Sequence, residues 1–230
     1  MILKIGRFLV KYFNIIIGKM NVFVTSDTHR FTTTGRLFDY NFTFDAVRAS
    51  TLDLVCQEIK RNCIDGETAE LGVYRGDFAK YINMAFPQKK LYLFDTFEGF
   101  DKEQMKKSRF NGEAAVMDDF SNTSEKLVLS KMRHPGQCII KKGFFPETAR
   151  DIGVNVRFAI VSIDTDLYEP ILAGLEFFYE RLSKGGYILI HDYNNKQYKG
   201  AHKAVVKFCK KQGITQVPVA DASGSAIIIK

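Results

Sequence analysis

Short apolar runs and stretches with helical spacing alternate along the chain from residue 45 onward. Each run is six to eight residues long and rich in Ile, Val, Leu and Phe, which is typical of a strand buried on both faces of a sheet. This alternation favours a parallel sheet whose strands are joined by crossover helices. The runs lie at residues 68–73, 90–95, 137–142, 157–164 and 187–192.

The stretches between the runs predict helices. The first, residues 45–62, has apolar side chains near one face: Val47, Leu52, Val55, Cys56 and Ile59. Pro170 suits the first turn of a later helix, where backbone N–H groups have no partner within the helix and a missing N–H costs nothing. We expect Gly185 and Gly186 to end that helix. The remaining helices are predicted at residues 77–86, within 101–135 (including 121–132) and at 201–211.

The order of these elements predicts one α/β domain. Five strand–helix units are followed by two apolar segments, residues 214–220 and 225–230, that can form an antiparallel hairpin. We therefore expect a single doubly wound, Rossmann-like domain at residues 45–230, with a seven-stranded, mostly parallel sheet and a C-terminal antiparallel hairpin. A chain of 230 residues is long enough to bury one such core. In this fold, ligands bind beyond the carboxyl ends of the strands.

Residues 1–44 are expected to form an amphipathic helix followed by a lid-like segment. Within residues 1–17, polar side chains recur every three or four residues and form one stripe: Lys4, Arg7, Lys11 and Asn14. The interior charges and the short length argue against a signal peptide or a membrane span. Two interpretations stay open: docking on this domain or on a second subunit of a homodimer, and peripheral contact with a membrane surface.

Charge and cysteine content narrow the class of protein only a little. The net charge of +7 fits an anionic partner or a solvated lysine-rich face. The four cysteines form no C-x-x-C pair, so reduced thiols and a cytoplasmic location are expected. Basic chain ends suggest nucleic acid as a partner, but the sequence lacks both the N/D-P-P-Y/F tetrad and a cysteine nucleophile motif of nucleic-acid methyltransferases.

A glycine-containing turn follows the first strand and has features of a nucleoside site. Gly72 and Gly76 let the backbone approach a ligand, and Asp95 ends the next strand, where an acid can hold two ribose hydroxyls. Nicotinamide dinucleotide and S-adenosylmethionine sites share this geometry. The G-x-x-x-G spacing and the negative charge of Glu70 favour the cationic methyl donor over a pyrophosphate. An ordinary strand-to-helix turn is the alternative.

Four further polar residues end two later strands. Asp164 ends the fourth run and Asp166 comes two residues later, and His191 and Asp192 close the fifth run. Carboxylates brought together raise one another's pKa, and a divalent cation removes that conflict. Two other interpretations remain: a metal-free acid/base site, or structural roles in which Asp166 caps a helix and Asp192 caps a turn.

Five motifs in this order resemble the macrocin O-methyltransferase family: ELGVYRGDFA, LYLFDTFEGF, KKGFFPET, SIDTDLYEP and LSKGGYILIHDYN. The resemblance covers about residues 44–208. It implies a class I methyltransferase fold, S-adenosyl-L-methionine as methyl donor, Mg²⁺, and methylation of sugar hydroxyls of the kind found in macrolides and aminocoumarins.

The resemblance also assigns site residues. It places the donor loop on Glu70, Gly72, Val73, Tyr74 and Gly76, the ribose site on Asp95 and Thr96, and the adenine side on Gly143 and Phe144. It implies a metal bound by Asp164, His191 and Asp192, with Asp164 and His191 as catalytic residues. His191 stands where the family has the first Asp of a tandem pair, and imidazole shifts metal preference from Mg²⁺ toward Mn²⁺. Without a metal, His191 is expected to act as general base.

The expected function is therefore O-methylation of a hydroxyl on a sugar or glycosylated small molecule. Methylation of a catechol or another phenol is a close alternative, because the same metal ligands serve that chemistry. A nucleic-acid methyltransferase and a non-catalytic scaffold that keeps the nucleoside pocket are more distant ones.

Overall fold

Seven strands of the described chain form one sheet. The strands are β1 (Glu67–Leu71), β2 (Leu91–Asp95), β3 (Cys138–Lys142), β4 (Phe158–Ile163), β5 (Leu182–Ile190), β6 (Val217–Pro218) and β7 (Ala226–Ile229). Their order is β3–β2–β1–β4–β5–β7–β6. The first five are parallel, and β7 runs antiparallel to both β5 and β6. The predicted doubly wound fold with a C-terminal antiparallel hairpin is confirmed.

Helices cover both faces of this sheet. They are α1 (Ala46–Arg61), α2 (Ala79–Ala85), α3 (Lys102–Phe110), α4 (Glu125–Lys131), α5 (Tyr168–Arg181) and α6 (Lys199–Gln212). On one face, α5 and α6 bury Phe178 and Phe208 against the strands. On the other, α1, α2 and α4 bury Leu52, Ile82 and Val128. Because both faces of the sheet are covered, the strands are apolar almost throughout. This explains why they occur in the sequence as continuous apolar runs.

The computed structural model describes residues 10, 13–20, 24, 35–39, 45–115 and 119–230. Two compact units divide the chain, Met1–Arg36 and Leu37–Lys230. The first includes a helical stretch at residues 13–17 and a 3₁₀ turn at Gly18–Met20. Most of the predicted amphipathic helix and of the lid-like segment lies outside the described residues. Among the residues described, no helix has both the length and the apolar character needed to cross a membrane.

Helix α1 begins at a side-chain cap. The Asp45 carboxylate accepts hydrogen bonds from the backbone N–H groups of Val47 and Arg48, which would otherwise have no partner in the first helical turn. Leu52 is buried as predicted, but the placement of Val47 on the same face is wrong, since Val47 is 41% exposed. Val47 precedes Leu52 by five residues, and at 100° per residue it points well away from the buried face.

The end of α5 also differs from the prediction. The helix ends at Arg181, and Gly185 and Gly186 lie inside β5 instead of terminating the helix. The register between β4 and β5 shifts near Phe158, so that β5 contains extra residues relative to its partner. Gly185 has φ +79°, and a Cβ on Gly186 would lie 3.0 Å from the carbonyl oxygen of Ala159. The glycines are needed where the irregular strand passes close to β4.

Candidate active site

A cleft of about 400 Å³ opens at the carboxyl ends of β1, β2, β4 and β5. Most of the residues assigned to the site from the sequence line it: Glu70, Gly72, Val73, Tyr74, Asp95, Thr96, Gly143, Phe144, Asp164, His191 and Asp192. Gly76 is the exception. A Cβ on Gly76 would lie 3.0 Å from side-chain atoms of Val128 and Met132, and its φ is +74°, so this glycine lets the turn pack against α4.

Gly72, just after β1, lies against the end of β4 at the floor of the cleft. Its φ is +85°, and a Cβ there would lie 2.0 Å from the carbonyl oxygen of Asp164. The backbone N–H of Asp164 donates to the carbonyl of Leu71 at 2.8 Å, so the two strand ends continue their pairing into the site. Only glycine fits this position, because both the backbone conformation and the space exclude a side chain.

Asp95 holds the turn that follows β1. Its Oδ2 accepts hydrogen bonds from the backbone N–H groups of Val73 and Tyr74, at 2.7 and 2.8 Å, and its Oδ1 accepts one from Phe97 at 2.6 Å. Thr96 next to it donates to the carbonyl of Gly99 at 2.7 Å. Asp95 lies where the sequence places a ribose ligand, and it also shapes the donor turn, a role that the sequence did not reveal.

Glu70 is an acid inside the sheet. It lies on β1 and is 1% exposed. Among the residues that the structure describes, its Oε2 has no hydrogen-bond partner. Burial raises the pKa of Glu70 well above its ordinary value, the Arg48 guanidinium opposes that rise, and Asp164 and Asp95 add to it. A buried carboxyl without a full set of partners beside an open cleft is suited to bind a positively charged ligand group.

The opposite side of the cleft is formed by the segment after β3. Gly143, with φ +129°, donates its N–H to the carbonyl of Asp95 at 2.9 Å. Phe144 is 47% exposed, and the next peptide bond, Phe145–Pro146, is cis. An exposed aromatic ring on the cleft wall can stack on a planar group such as a nucleoside base.

The acids that follow β4 and β5 meet at His191. Its Nδ1 lies 3.0 Å from Oδ1 of Asp164 and 2.8 Å from Oδ2 of Asp192. Asn195 donates its side-chain N–H to the other oxygen of Asp192 at 2.6 Å. Asp166 and Asp192 both adopt left-handed backbone conformations, with φ of 60° and 58°. Non-glycine residues in this region are concentrated at functional sites.

Asp166 does not cap the following helix. The N-cap of α5 is Leu167, which makes no side-chain cap hydrogen bond, and the Asp166 side chain bonds to Asp192 instead. Burial raises the pKa of Asp166, and the charges of Asp164 and Asp192 raise it further. Burial also pushes the pKa of Asp192 up, but His191 outweighs burial and lowers it. The contact between the two carboxyl groups thus favours a proton on Asp166, whose pKa is raised, over one on Asp192, whose pKa is lowered.

Arg48 of α1 completes the cluster and was missed from the sequence. Its Nη2 lies 2.8 Å from Oδ2 of Asp164, and its guanidinium carbon lies 4.1 Å from the centre of the Phe78 ring. A signal was present, because Arg48 precedes Leu52 and Val55 by four and seven residues and so lies on the buried face of α1. A charge on an apolar helix face needs a buried partner.

The two cations set the protonation states of the cluster. Burial alone would raise the pKa of Asp164, but His191 and Arg48 outweigh it and hold that pKa well below its usual range. Burial would lower the pKa of His191, whereas Asp164 and Asp192 raise it to about 10. With no other ion bound, the pair is therefore an imidazolium and a carboxylate at neutral pH.

The same atoms also fit a divalent metal ion. One ligand atom each from Asp164, His191 and Asp192 lies within 4.8 Å of the others. Neighbouring ligands of an octahedral ion with bonds of about 2.1 Å lie about 3 Å apart. The spacings of 2.8 and 3.0 Å at His191 Nδ1 therefore suit coordination as well as hydrogen bonding. Two carboxylates and one imidazole favour Mn²⁺ over Mg²⁺.

Comparison with known proteins identifies the family. The sequence profile of the family Macrocin-O-methyltransferase (TylF) matches residues 39–228. An enzyme of Streptomyces olivaceus, 8-demethyl-8-(2,3-dimethoxy-alpha-L-rhamnosyl)-tetracenomycin-C 4'-O-methyltransferase, is 24% identical over 195 residues, covering 78% of this chain and 71% of that enzyme.

Solved structures share the fold. The O-methyltransferase NovP matches with a TM-score of 0.66 and 19% identity over 80% of both chains. The calicheamicin methyltransferase CalS11 matches with a TM-score of 0.62 and 19% identity, over 79% of this chain and 78% of that one. Because the family profile spans both the donor turn and the acid cluster, the resemblance seen in the five sequence motifs is confirmed. The chain belongs to the macrocin O-methyltransferase family.

Proposed function

We propose that this chain transfers a methyl group from S-adenosyl-L-methionine to a hydroxyl of a sugar or of a glycosylated small molecule. The observation that carries the proposal is the contact between Gly72 and Asp164, which brings a turn open to the donor and a pair of proton-handling residues into one cleft. The name of the S. olivaceus relative describes a methylation on a rhamnosyl group, which supports a sugar as the acceptor class.

The donor side of the cleft suits a cationic nucleoside. Glu70 offers a buried carboxyl with an unpaired oxygen to the ammonium group of the donor, and Gly72 leaves room for its chain. Phe144 can cover the adenine, and Asp95 fixes the turn on which the ribose lies. When bound, S-adenosylmethionine supplies an electrophilic methyl group on a sulfonium sulfur.

The acceptor side needs a group that takes a proton. As the acceptor oxygen forms its bond to the methyl carbon and the carbon–sulfur bond breaks, Asp164 would receive the hydroxyl proton. His191 is the second candidate only as a neutral imidazole, because the imidazolium has no free lone pair to accept a proton. Alignment of the two reactants lowers the barrier most, and a positioned base adds about 10²–10⁴-fold in rate. Phe100 and Phe120, whose rings pack edge to face at 5.2 Å, line the cleft and can contact the apolar face of a sugar ring.

Assistance by Mg²⁺ or Mn²⁺ is part of the proposal. Asp164, His191 and Asp192 would hold the ion, which would lower the pKa of a bound acceptor hydroxyl. His191 would then be a neutral ligand instead of an imidazolium.

The cellular setting stays a prediction of the sequence. A cytoplasmic location is expected from the thiol content. For residues 1–17, docking on this domain or on a second subunit of a homodimer and contact with a membrane surface stay the two alternatives. Size-exclusion chromatography with light scattering and sedimentation with anionic vesicles address the homodimer and the membrane contact.

Calorimetric titration with S-adenosylhomocysteine, followed by an acceptor screen read by mass spectrometry, tests the proposed function. The screen contains nucleotide-linked sugars, glycosylated small molecules, catechols and nucleic acid. We expect binding of S-adenosylhomocysteine and a mass gain of one methyl group on a sugar-bearing acceptor. If only catechols are methylated, the acceptor class is a phenol and not a sugar. If S-adenosylhomocysteine does not bind, a non-catalytic scaffold is the better account.

A further inference from the structure

Arg48 occupies one oxygen of the central carboxylate. Its Nη2 donates to Oδ2 of Asp164 at 2.8 Å, and the Arg48 side chain is only 12% exposed. The guanidinium also packs on the face of the Phe78 ring. The start of α1 is fixed as well, because Asp45 caps the helix and its Oδ2 accepts the N–H of Ala222 at 2.5 Å. Arg48 is thus held at the cluster by the Phe78 ring and by a helix start that is itself anchored.

This position makes Arg48 a rival of any metal ion. An ion bound by Asp164, His191 and Asp192 would lie beside the positive charge of the Arg48 guanidinium. The guanidinium leaves Asp164 with one oxygen for coordination, and it cancels one of the two negative charges in the ligand set. Repulsion between cations a few ångströms apart is strong in a partly buried site.

We propose that Arg48 competes with a divalent ion for Asp164 and so keeps ion binding at this site weak. The inference rests on the ligand set named under the proposed function and deepens it. An ion would then bind tightly only when further ligands, such as acceptor oxygens, add to the set. Arg48 in this role is a positioning residue, because it acts through Asp164.

Asn195 offers a matched comparison. It donates to Oδ1 of Asp192 at 2.6 Å, as Arg48 does to Oδ2 of Asp164, but it carries no charge. Loss of a neutral partner that orients a ligand weakens metal binding. Loss of a cation that competes for a ligand strengthens it. The two variants therefore separate charge from orientation.

Titration with Mn²⁺ alone, read by the electron paramagnetic resonance signal of the free ion, tests the inference. Relative to the wild type, Arg48→Met and Arg48→Gln are expected to bind Mn²⁺ at least about tenfold more tightly. Arg48→Lys keeps the charge and is expected to stay within about threefold, and Asn195→Ala is expected to bind equally or more weakly. Arg61→Met, on the same helix but paired with Glu58 at the surface, is the control without effect.

Unchanged or weaker Mn²⁺ binding in both Arg48→Met and Arg48→Gln would overturn the inference, and so would the absence of Mn²⁺ binding in every variant. Titration of the same samples with S-adenosylhomocysteine keeps the two proposals distinguishable, because donor binding does not require the ion. Retained S-adenosylhomocysteine binding also shows that a variant is folded. If one Arg48 variant fails to fold, the other still decides the question.

Discussion

A Cβ atom on Gly72 would lie 2.0 Å from the carbonyl oxygen of Asp164. The turn proposed to bind the donor and the strand end that carries the candidate base therefore share one backbone contact. A shift of either segment would move the other, and in the proposed function this would tie the position of the sulfonium to that of the group proposed to take the proton. Such coupling is what an in-line transfer needs, because small misplacements of the reactants reduce the rate strongly.

We expect Gly72→Ala to abolish binding of S-adenosylhomocysteine and to destabilise the fold by several kcal/mol, because the new methyl group overlaps a backbone oxygen and φ is +85°. Calorimetric titration and thermal unfolding measure both effects. Gly112→Ala, with φ +64° and no described atom within 4 Å of the new Cβ, isolates the conformational strain, which is about 1 kcal/mol. Gly136→Ala is a neutral control. Equal effects for Gly72 and Gly112 would show that the contact with Asp164 is unimportant.

Because the pKa of Glu70 is raised, we expect binding of the donor to release protons. Burial raises the pKa of its carboxyl well above the ordinary value in the free protein, which favours the protonated form. A bound ammonium group favours the carboxylate and lowers that pKa, so a proton leaves on binding. Calorimetric titration of S-adenosylhomocysteine in buffers of different ionisation enthalpy measures this release.

Glu70→Gln removes the ionisable group while it preserves the side-chain shape. We expect this variant to bind S-adenosylhomocysteine about tenfold more weakly and to lose the proton release. Proton release that persists in Glu70→Gln would assign it to another group and contradict the role given to Glu70.

The strand ends could be predicted because a parallel sheet imposes them. Continuous apolar runs located the strands, and the rule that ligands bind at carboxyl ends brought Asp95, Asp164 and His191 to one edge. The bounds of helices and strands differ from the predicted ones where the local sequence pattern and the pairing of strands favour different structures. The pair Gly185 and Gly186 resembles a helix stop, but pairing of β5 with β4 drew both into the strand.

The contact of Arg48 with Asp164 and the hydrogen bonds of Asp95 could not be predicted from the sequence, for a different reason. Arg48 reaches Asp164 across 116 positions of the chain, and only the packing of α1 on the sheet joins them. Asp95 holds the turn at Val73 and Tyr74 through backbone donors, which every residue carries and no sequence pattern marks.

Asp95 should contribute to stability even without a donor. Its carboxylate accepts three backbone N–H groups, so Asp95→Ala leaves partly buried donors unpaired and is expected to destabilise the free protein by about 1–3 kcal/mol. Chemical denaturation without ligand measures this. Asp151→Ala, which removes the solvent-exposed partner of the ion pair with Lys141, is expected to leave the stability nearly unchanged. A residue that served only the ribose would leave the stability of the free protein unchanged.

Asp164→Asn is the decisive variant for the chemistry. The amide keeps the size of the side chain and can still accept a hydrogen bond from Arg48, but it cannot take a proton. We expect turnover of the acceptor found in the screen to fall at least about 10²-fold, with the affinity for S-adenosylhomocysteine within about threefold of the wild type. Single-turnover assays by mass spectrometry and calorimetric titration provide the two numbers. Because the backbone of Asp164, and not its side chain, contacts Gly72, the donor turn is unaffected by the change. Normal turnover in Asp164→Asn would move the proton acceptor to His191, for which His191→Gln is the corresponding test.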